Sequence, residues 1–213
     1  MIVLGLTGSI GMGKSTTTAL FAEAGAFTWN ADEAVHRLYA KGGKAVGPVG
    51  ALFPGVVVDG AVDRDRLAAA LGSDAGAFAR LEAVVHPLVG EHRLEDLAAA
   101  EARGVKLAVL DIPLLFEKGL DALTDAVVVV TADPEVQASR VLARPGMTRE
   151  RLDAILARQT PDAEKRRRAD FLIDTGHGME AARKAVNRIV ATVTDPLWTP
   201  PRTRLHLDSE AGQ

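Results

Sequence analysis

The chain of 213 residues has no cysteine, which excludes disulfides and thiolate metal sites and fits a reducing compartment. Aromatic residues are scarce, with six Phe, two Trp and one Tyr, so a core drawn from its 47% hydrophobic residues must be aliphatic. There is no excess of positive charge: 25 Lys and Arg against 28 Asp and Glu leave a net charge of −3. A broad nucleic-acid surface needs a strongly basic face, so that class of partner is excluded. Long apolar runs are missing as well. The opening run Met1 to Leu6 stops at Thr7-Gly8, too short for a signal sequence and with no basic segment before it. No later run approaches the ~18 residues of a membrane span. The expectation is a cytoplasmic protein with no membrane partner, monomeric or weakly self-associating.

What is present is a series of short apolar runs separated by Ala-rich stretches. Met1 to Leu6, Ala26 to Trp29, Val105 to Leu110, Ala126 to Val130 and Phe171 to Ile173 read as buried strands. Continuous apolar runs of this length suit parallel strands covered on both faces. Their alternation with helical stretches predicts an α/β fold: a five-stranded parallel sheet flanked by helices, with right-handed crossovers.

The spacing of the strands is uneven. About 75 residues separate the second from the third, more than one crossover helix requires. This stretch has helical patterns at Glu33 to Tyr39, Arg64 to Leu71, Ala75 to Val85 and Leu88 to Arg103, and a loop or extended region from Gly42 to Gly60. It reads as a helical insertion. A second, charged insertion contains Thr148, a suitable N-cap for a helix running to Arg158. The result is one domain with a core of about 1–32, 104–140 and 169–194, insertions at about 33–103 and 141–168, and a proline-bearing, loosely held tail from 195 to 213.

Gly8-Ser9-Ile10-Gly11-Met12-Gly13-Lys14-Ser15 satisfies G-x-x-x-x-G-K-[ST], directly after a strand and before a helix from Ser15 to Ala24. Glycines let such a loop turn its backbone N–H groups inward, and the helix N-terminus adds its positive dipole end. Gly8, Gly11, Met12, Gly13, Lys14, Ser15 and Thr16 are therefore the expected ATP-binding residues. Lys14 would reach the β- and γ-phosphates, and the Ser15 hydroxyl would ligate Mg²⁺. The fold class is a P-loop NTPase.

A GTPase switch would need Asn-Lys-x-Asp and Asp-x-x-Gly motifs, and neither occurs. Two insertions match a small-molecule kinase instead, one holding the acceptor and the other closing as a lid that excludes water. Asp32, at the end of the second strand, is either a catalytic base or the N-cap of the helix at Glu33. Asp111, ending the third strand, is either an acid that organises Mg²⁺ or a turn cap. Arg140 and Arg144, four apart, share one helix face and suit a transferring phosphoryl group, Arg140 as a catalytic residue and Arg144 as an ATP ligand. Lys165 to Arg168 reads as a solvated helix face. His86-Pro87 has no second metal ligand at suitable spacing, and His86 reads as a buried histidine.

Further blocks extend the pattern collinearly. They are Asn30-Ala31-Asp32, Asp59-Gly60-Ala61-Val62-Asp63-Arg64 with Leu67, His86-Pro87, and Pro113-Leu114-Leu115-Phe116-Glu117. Arg140, Arg144, Gln159, Glu164-Lys165, Ala169-Asp170 and Ile173-Asp174 complete the series. In this combination the chain resembles the dephospho-CoA kinase family over residues 2 to about 178. Asn30 stands where the family has the first acid of Asp-Ala-Asp, and Thr175 where it has Asn. The resemblance implies ATP and dephospho-CoA as substrates, Mg²⁺ as the cofactor, and Asp32 as the base. It also implies acceptor contacts at Asp32, Arg37, His86, Leu114 and Phe116, the last offering a ring to the acceptor's adenine or belonging to the core. A nucleoside or nucleotide kinase of the same fold and a non-catalytic nucleotide-binding regulator are the competing readings.

Overall fold

A computed structural model describes residues 1–72 and 76–205. In chain order the elements are β1 (Ile2–Thr7), α1 (Lys14–Glu23), β2 (Phe27–Asn30), α2 (Ala31–Tyr39), α3 (Val46–Leu52), β3 (Val57–Val58), β4 (Ala61–Val62) and α4 (Arg64–Gly72). They continue with α5 (Ala77–Ala102), β5 (Leu107–Asp111), β6 (Ala126–Thr131), α6 (Pro134–Leu142), α7 (Arg149–Leu156), α8 (Asp162–Arg168), β7 (Phe171–Asp174) and α9 (Met179–Val193).

Five strands form one sheet in the order β2-β5-β1-β6-β7. The ladders β1–β5, β1–β6 and β6–β7 are parallel, with Leu4 opposite both Val109 and Ala126. Every residue of β5 and β6 is buried, which is why these strands are apolar up to their last residues, Asp111 and Thr131, and do not alternate. Leu4, Leu6, Val109, Val128 and Ile173 of the sheet pack with Phe21 of α1 and Val186 and Ile189 of α9 in the main aliphatic core. Parallel strands all end on the same side, so Thr7, Asp111 and Thr131 share one edge of the sheet.

Contacts divide the chain into two compact units, residues 1–28 with 103–213, and residues 29–102. The second has its own core, in which Leu38, Val49, Phe53, Leu67, Leu81 and Val85 are buried together. At the end of the stretch expected to be loop or extended, β3 pairs with β4, just beyond it, in a hairpin. Its turn is Asp59-Gly60, with φ of 51° and 82°. A two-residue turn with both φ positive matches the twist of a hairpin, and Gly at the second position adopts it without strain.

The helices depart from expectation at three places, the first being α3, which forms where a loop or extended region had been expected. α5 runs unbroken through Pro87, where two helices had been expected. A proline inside a helix forfeits one hydrogen bond; here the packing of Leu81, Val85 and Ala100 on one face of a 26-residue helix outweighs that loss. The expected start of that region at Ala75 lies outside the described residues. α2 begins at Ala31, and its N-cap is Asn30, whose Oδ1 accepts from the Glu33 amide at 3.0 Å. α7 starts as expected, with Thr148 Oγ1 accepting from the Arg151 amide.

The stretch after α9, expected to be loose, is tied down as far as Leu205. Arg202 donates to Asp170, Asp121 and the Arg168 carbonyl. Arg204 pairs with Asp125 at 3.4 Å, and Trp198 packs on the main core. Residues 206–213 of the expected tail lie outside the described residues.

Candidate active site

The phosphate loop leaves β1 at Thr7 and enters α1 at Lys14. The Thr7 hydroxyl donates to the Pro113 carbonyl, and the Met12 amide closes a turn on the Ser9 carbonyl at 3.2 Å. Lys14, Ser15 and Thr16 form the first turn of α1, where amides lack a partner one turn earlier in the helix and are suited to an anion. Gly11 has φ +80°, and a Cβ there would lie 2.5 Å from Val141 Cγ2, so only glycine lets α6 pack this closely on the loop.

Ile10 is held on both backbone groups. Its amide donates to Gln159 Oε1 at 3.2 Å, and its carbonyl accepts from Gln137 Nε2 at 2.7 Å. Lys14 Nζ forms an ion pair with Asp111 Oδ1, and the Thr18 hydroxyl donates to Asp111 Oδ2 at 2.8 Å. Asp111 is almost fully buried, so its charge needs these partners. Both of its oxygens are thus engaged.

Arg140 and Arg144 do lie on one face of the chain leaving α6, but Arg140 is tethered. Its guanidinium donates to Thr175 Oγ1 and to the Thr175 carbonyl, each at 2.8 Å. The Thr175 hydroxyl in turn donates to the Met12 carbonyl at 2.8 Å. Beside this chain of bonds lies a cavity of 260 Å³ lined by Gly13, Thr16, Arg140, Arg144, Thr175 and Met179, among others. It opens next to the loop.

Of the two readings of Phe116, the core one fits its burial, and its ring lies under the Arg168 guanidinium, 4.1 Å from the centroid. One expectation in this unit is corrected. Lys165 is fully buried and lies 3.0 Å from Glu117 Oε1, where a solvated lysine had been expected. Glu117 Oε1 also accepts from the Thr160 amide at 2.7 Å. Burial pushes the Glu117 carboxyl up, but the Thr160 hydrogen bond and the Lys165 charge more than offset this, and the group sits below its ordinary range. Leu115 is buried in the core and Leu114 is half-buried.

In the other unit, Asp32 and Arg37 are both exposed on α2. Arg37 lies 3.7 Å from Asp96. Because Asn30 caps α2, Asp32 is not the cap, and that reading of it falls away. His86 is exposed on α5, 3.3 Å from Glu82, because the buried stripe of the helix runs through Leu81 and Val85. The expectation that His86 is buried is therefore corrected; the half-buried histidine of this helix is His92, whose Nδ1 accepts from Trp29 Nε1 at 3.3 Å.

The family model for dephospho-CoA kinase matches residues 2–180. The chain belongs to the dephospho-CoA kinase family. The dephospho-CoA kinase of Mesorhizobium japonicum is 61% identical over 190 residues, 89% of this chain and 95% of the relative. Among solved structures, TT1252 from Thermus thermophilus superposes with a TM-score of 0.78 at 35% identity, covering 91% of this chain and 98% of its own. A dephospho-CoA kinase from Campylobacter jejuni superposes at 0.64 with 22% identity, covering 89% and 95%, and shares the fold. Enzymes of this family are phosphotransferases that act on an alcohol group, so the kinase reading of the P-loop stands and the non-catalytic regulator does not.

Set against the dephospho-CoA kinase pattern, the first unit brings together Lys14, Asp111, Arg140 and Thr175 around the loop. Sequence reasoning did not assign roles to Gln137, Thr18 or Gln159. Gln159 had been noted only as part of the pattern, and Gln137 lies four residues before Arg144's neighbour Val141, on the helix face that meets Gly11. In the second unit Arg64 reaches His36 Nδ1 at 3.3 Å, a contact that the Asp63-Arg64 motif signalled without revealing its partner.

Proposed function

We propose that the chain transfers the γ-phosphoryl group of Mg²⁺-bound ATP to the 3′-hydroxyl of dephospho-CoA, giving CoA and ADP, the last step of coenzyme A biosynthesis. The observation that carries this reading is the match to the dephospho-CoA kinase model over residues 2–180, on a fold whose phosphate loop is complete from Gly8 to Ser15.

Each residue has a role in this reading. The amides of the loop and of the first turn of α1 bind the phosphates, and Lys14 leaves Asp111 to neutralise the β- and γ-oxygens. Arg140 and Arg144, both lining the cavity beside the loop, stabilise charge on the transferring group and hold the nucleotide. Asp32 orients the ribose hydroxyl and accepts its proton late in the transfer. Its exposure, and the capping of α2 by Asn30 instead, leave its carboxylate available. Arg37 is suited to an acceptor phosphate, and His86 and Leu114 are candidates for further acceptor contacts.

The donor set fits Mg²⁺, a hard cation that prefers oxygen ligands: the exposed Ser15 hydroxyl and the Asp111 carboxylate would hold it with the ATP phosphates. The cation would neutralise the phosphate charge that builds up during transfer. Among the described residues no helix is long and apolar enough to cross a membrane, which is compatible with a cytoplasmic location.

The test is ATP consumption with dephospho-CoA, with nucleoside monophosphates and with no acceptor. Turnover with dephospho-CoA alone is expected. Turnover only with a nucleoside or nucleotide would replace the proposal with a nucleotide kinase of the same fold.

A further inference from the structure

Ile10 lies ahead of the loop amides expected to bind the anion, yet both of its backbone groups are held by side chains. Gln137 donates to its carbonyl at 2.7 Å and Gln159 accepts from its amide at 3.2 Å. Gln137 is itself buried, at 7% exposure, so its amide has been taken out of water to make this bond. A carbonyl can only accept and an N–H can only donate, so the orientation of both glutamine amides is fixed by Ile10. The two glutamines stand at the two roots of the first part of the lid, the stretch that carries α7. Gln137 stands in α6 ahead of it, and Gln159 stands between α7 and α8, where the chain returns. The stretch 138–158 therefore leaves from and returns to the same residue of the phosphate loop, one root on each of its flanking peptides.

The same face of α6 carries the other contacts to the loop. Val141 closes on Gly11, and Arg140 reaches Met12 through Thr175. Positions 137, 140, 141 and 144 fall at the helical spacing of one stripe. Three successive loop residues, Ile10, Gly11 and Met12, are thus held from the lid's first root, and Ile10 also from its second.

We propose that Gln137 and Gln159 are positioning residues for the nucleotide, clamping Ile10 so that the loop keeps its anion-accepting shape and both lid roots stay fixed to it. This rests on the reading of ATP as the phosphoryl donor. Neither glutamine touches the phosphates in this account; each acts through Ile10.

The chemistry makes the clamp directional. Glutamate at 159 still accepts from an N–H, whereas glutamate at 137 sets a carboxylate against a carbonyl oxygen. Gln137→Glu and Gln159→Glu add the same charge beside the same residue, so the difference between them reads hydrogen-bond direction against a shared charge. ATP affinity is measured by calorimetry without acceptor, and the KM for dephospho-CoA is measured separately. The Kd for ATP of Gln137→Glu should exceed that of Gln159→Glu by about tenfold or more, since a lost hydrogen bond is compounded by an unsatisfied buried carbonyl. The KM for dephospho-CoA should be alike in the two. Kd values within about twofold of each other, or a dephospho-CoA KM that moves in step with the ATP Kd, would overturn the clamp. Should Gln137→Glu fail to fold, Gln137→Met removes the donor without adding charge. It should raise the ATP Kd about five- to tenfold, the loss of one hydrogen bond, and an unchanged Kd would equally overturn the clamp. Failure of the wild-type chain to phosphorylate dephospho-CoA would sink the functional reading instead, and ATP binding alone would still decide the clamp.

Discussion

Asn30 and Thr175 are the two residues where the chain departs from the dephospho-CoA kinase pattern, and each has acquired a structural task. Asn30 accepts the Glu33 amide and so caps α2. Asn30→Ala should destabilise the chain by about 1 kcal/mol in urea denaturation, while Asn30→Asp should not. With the cap supplied by Asn30, Asp32 has no share in holding the helix. Asp32→Asn should therefore lower kcat by about a hundredfold or more while leaving the KM for ATP near wild type. A kcat within a few-fold of wild type would remove Asp32 as the base. Thr175 spends its hydroxyl on the Met12 carbonyl while accepting from Arg140. Thr175→Val keeps the shape and loses both bonds, so stability should fall by about 1–3 kcal/mol and the KM for ATP should rise severalfold. Thr175→Ser should restore both.

At the scale of elements, α8 is fastened by a charge inside the protein. Glu117 pairs with the fully buried Lys165 and accepts the Thr160 amide. Glu117→Gln leaves Lys165 buried with its charge uncompensated and should cost about 3–5 kcal/mol. The pH dependence follows from the sign of the shift. Glu117 in the folded chain sits below its ordinary 4.5, so on acidification the unfolded chain takes up the proton first. The stabilisation is complete above pH 4.5 and is lost as pH falls through the lower, folded value. Urea midpoints of wild type and Glu117→Gln should therefore converge as pH drops below 4.5; a constant gap would show that the carboxylate's charge is not what matters.

The central strands β1, β5 and β6 were legible because they are buried on both faces and leave apolar runs such as Val127 to Val130, whereas the edge strands β2 and β7 are only partly buried and show as shorter runs. The loop from Gly8 to Ser15 was legible for a different reason: its glycines and lysine are required by backbone geometry and anion charge together. What could not be read depended on long-range partners. Lys165 looks like one of four exposed cations until Glu117, 48 positions earlier in the chain, is packed against it. Phe116 looks available until Arg168 covers its ring. Pro87 looks like a helix break because local propensity says so, and packing along α5 overrules it. The Asp59-Gly60 turn was a readable hairpin signal, passed over because the surrounding strands are only two residues each.

Over the whole molecule, an aliphatic core poor in aromatics is closed at the N-terminal edge of its sheet by polar ties from the C-terminal stretch. Asp125 accepts the Val3 amide and Asp170 the Val127 amide, and Arg204 and Arg202 pair with these same carboxylates. Arg202→Ala should lower stability by about 1.5–3 kcal/mol without changing kcat, since these contacts join strand starts while the phosphate loop follows a strand end. A loss of activity at full stability would contradict that division of labour.

The central claim is that the phosphoryl group held by the loop from Gly8 to Ser15 is delivered to the ribose 3′-hydroxyl of dephospho-CoA. The most direct measurement is phosphorus NMR of the product formed from ATP, Mg²⁺ and dephospho-CoA. The account predicts one new phosphomonoester, on the 3′-oxygen, appearing in step with ADP. Inorganic phosphate in its place, or a phosphomonoester at any other position, would contradict it.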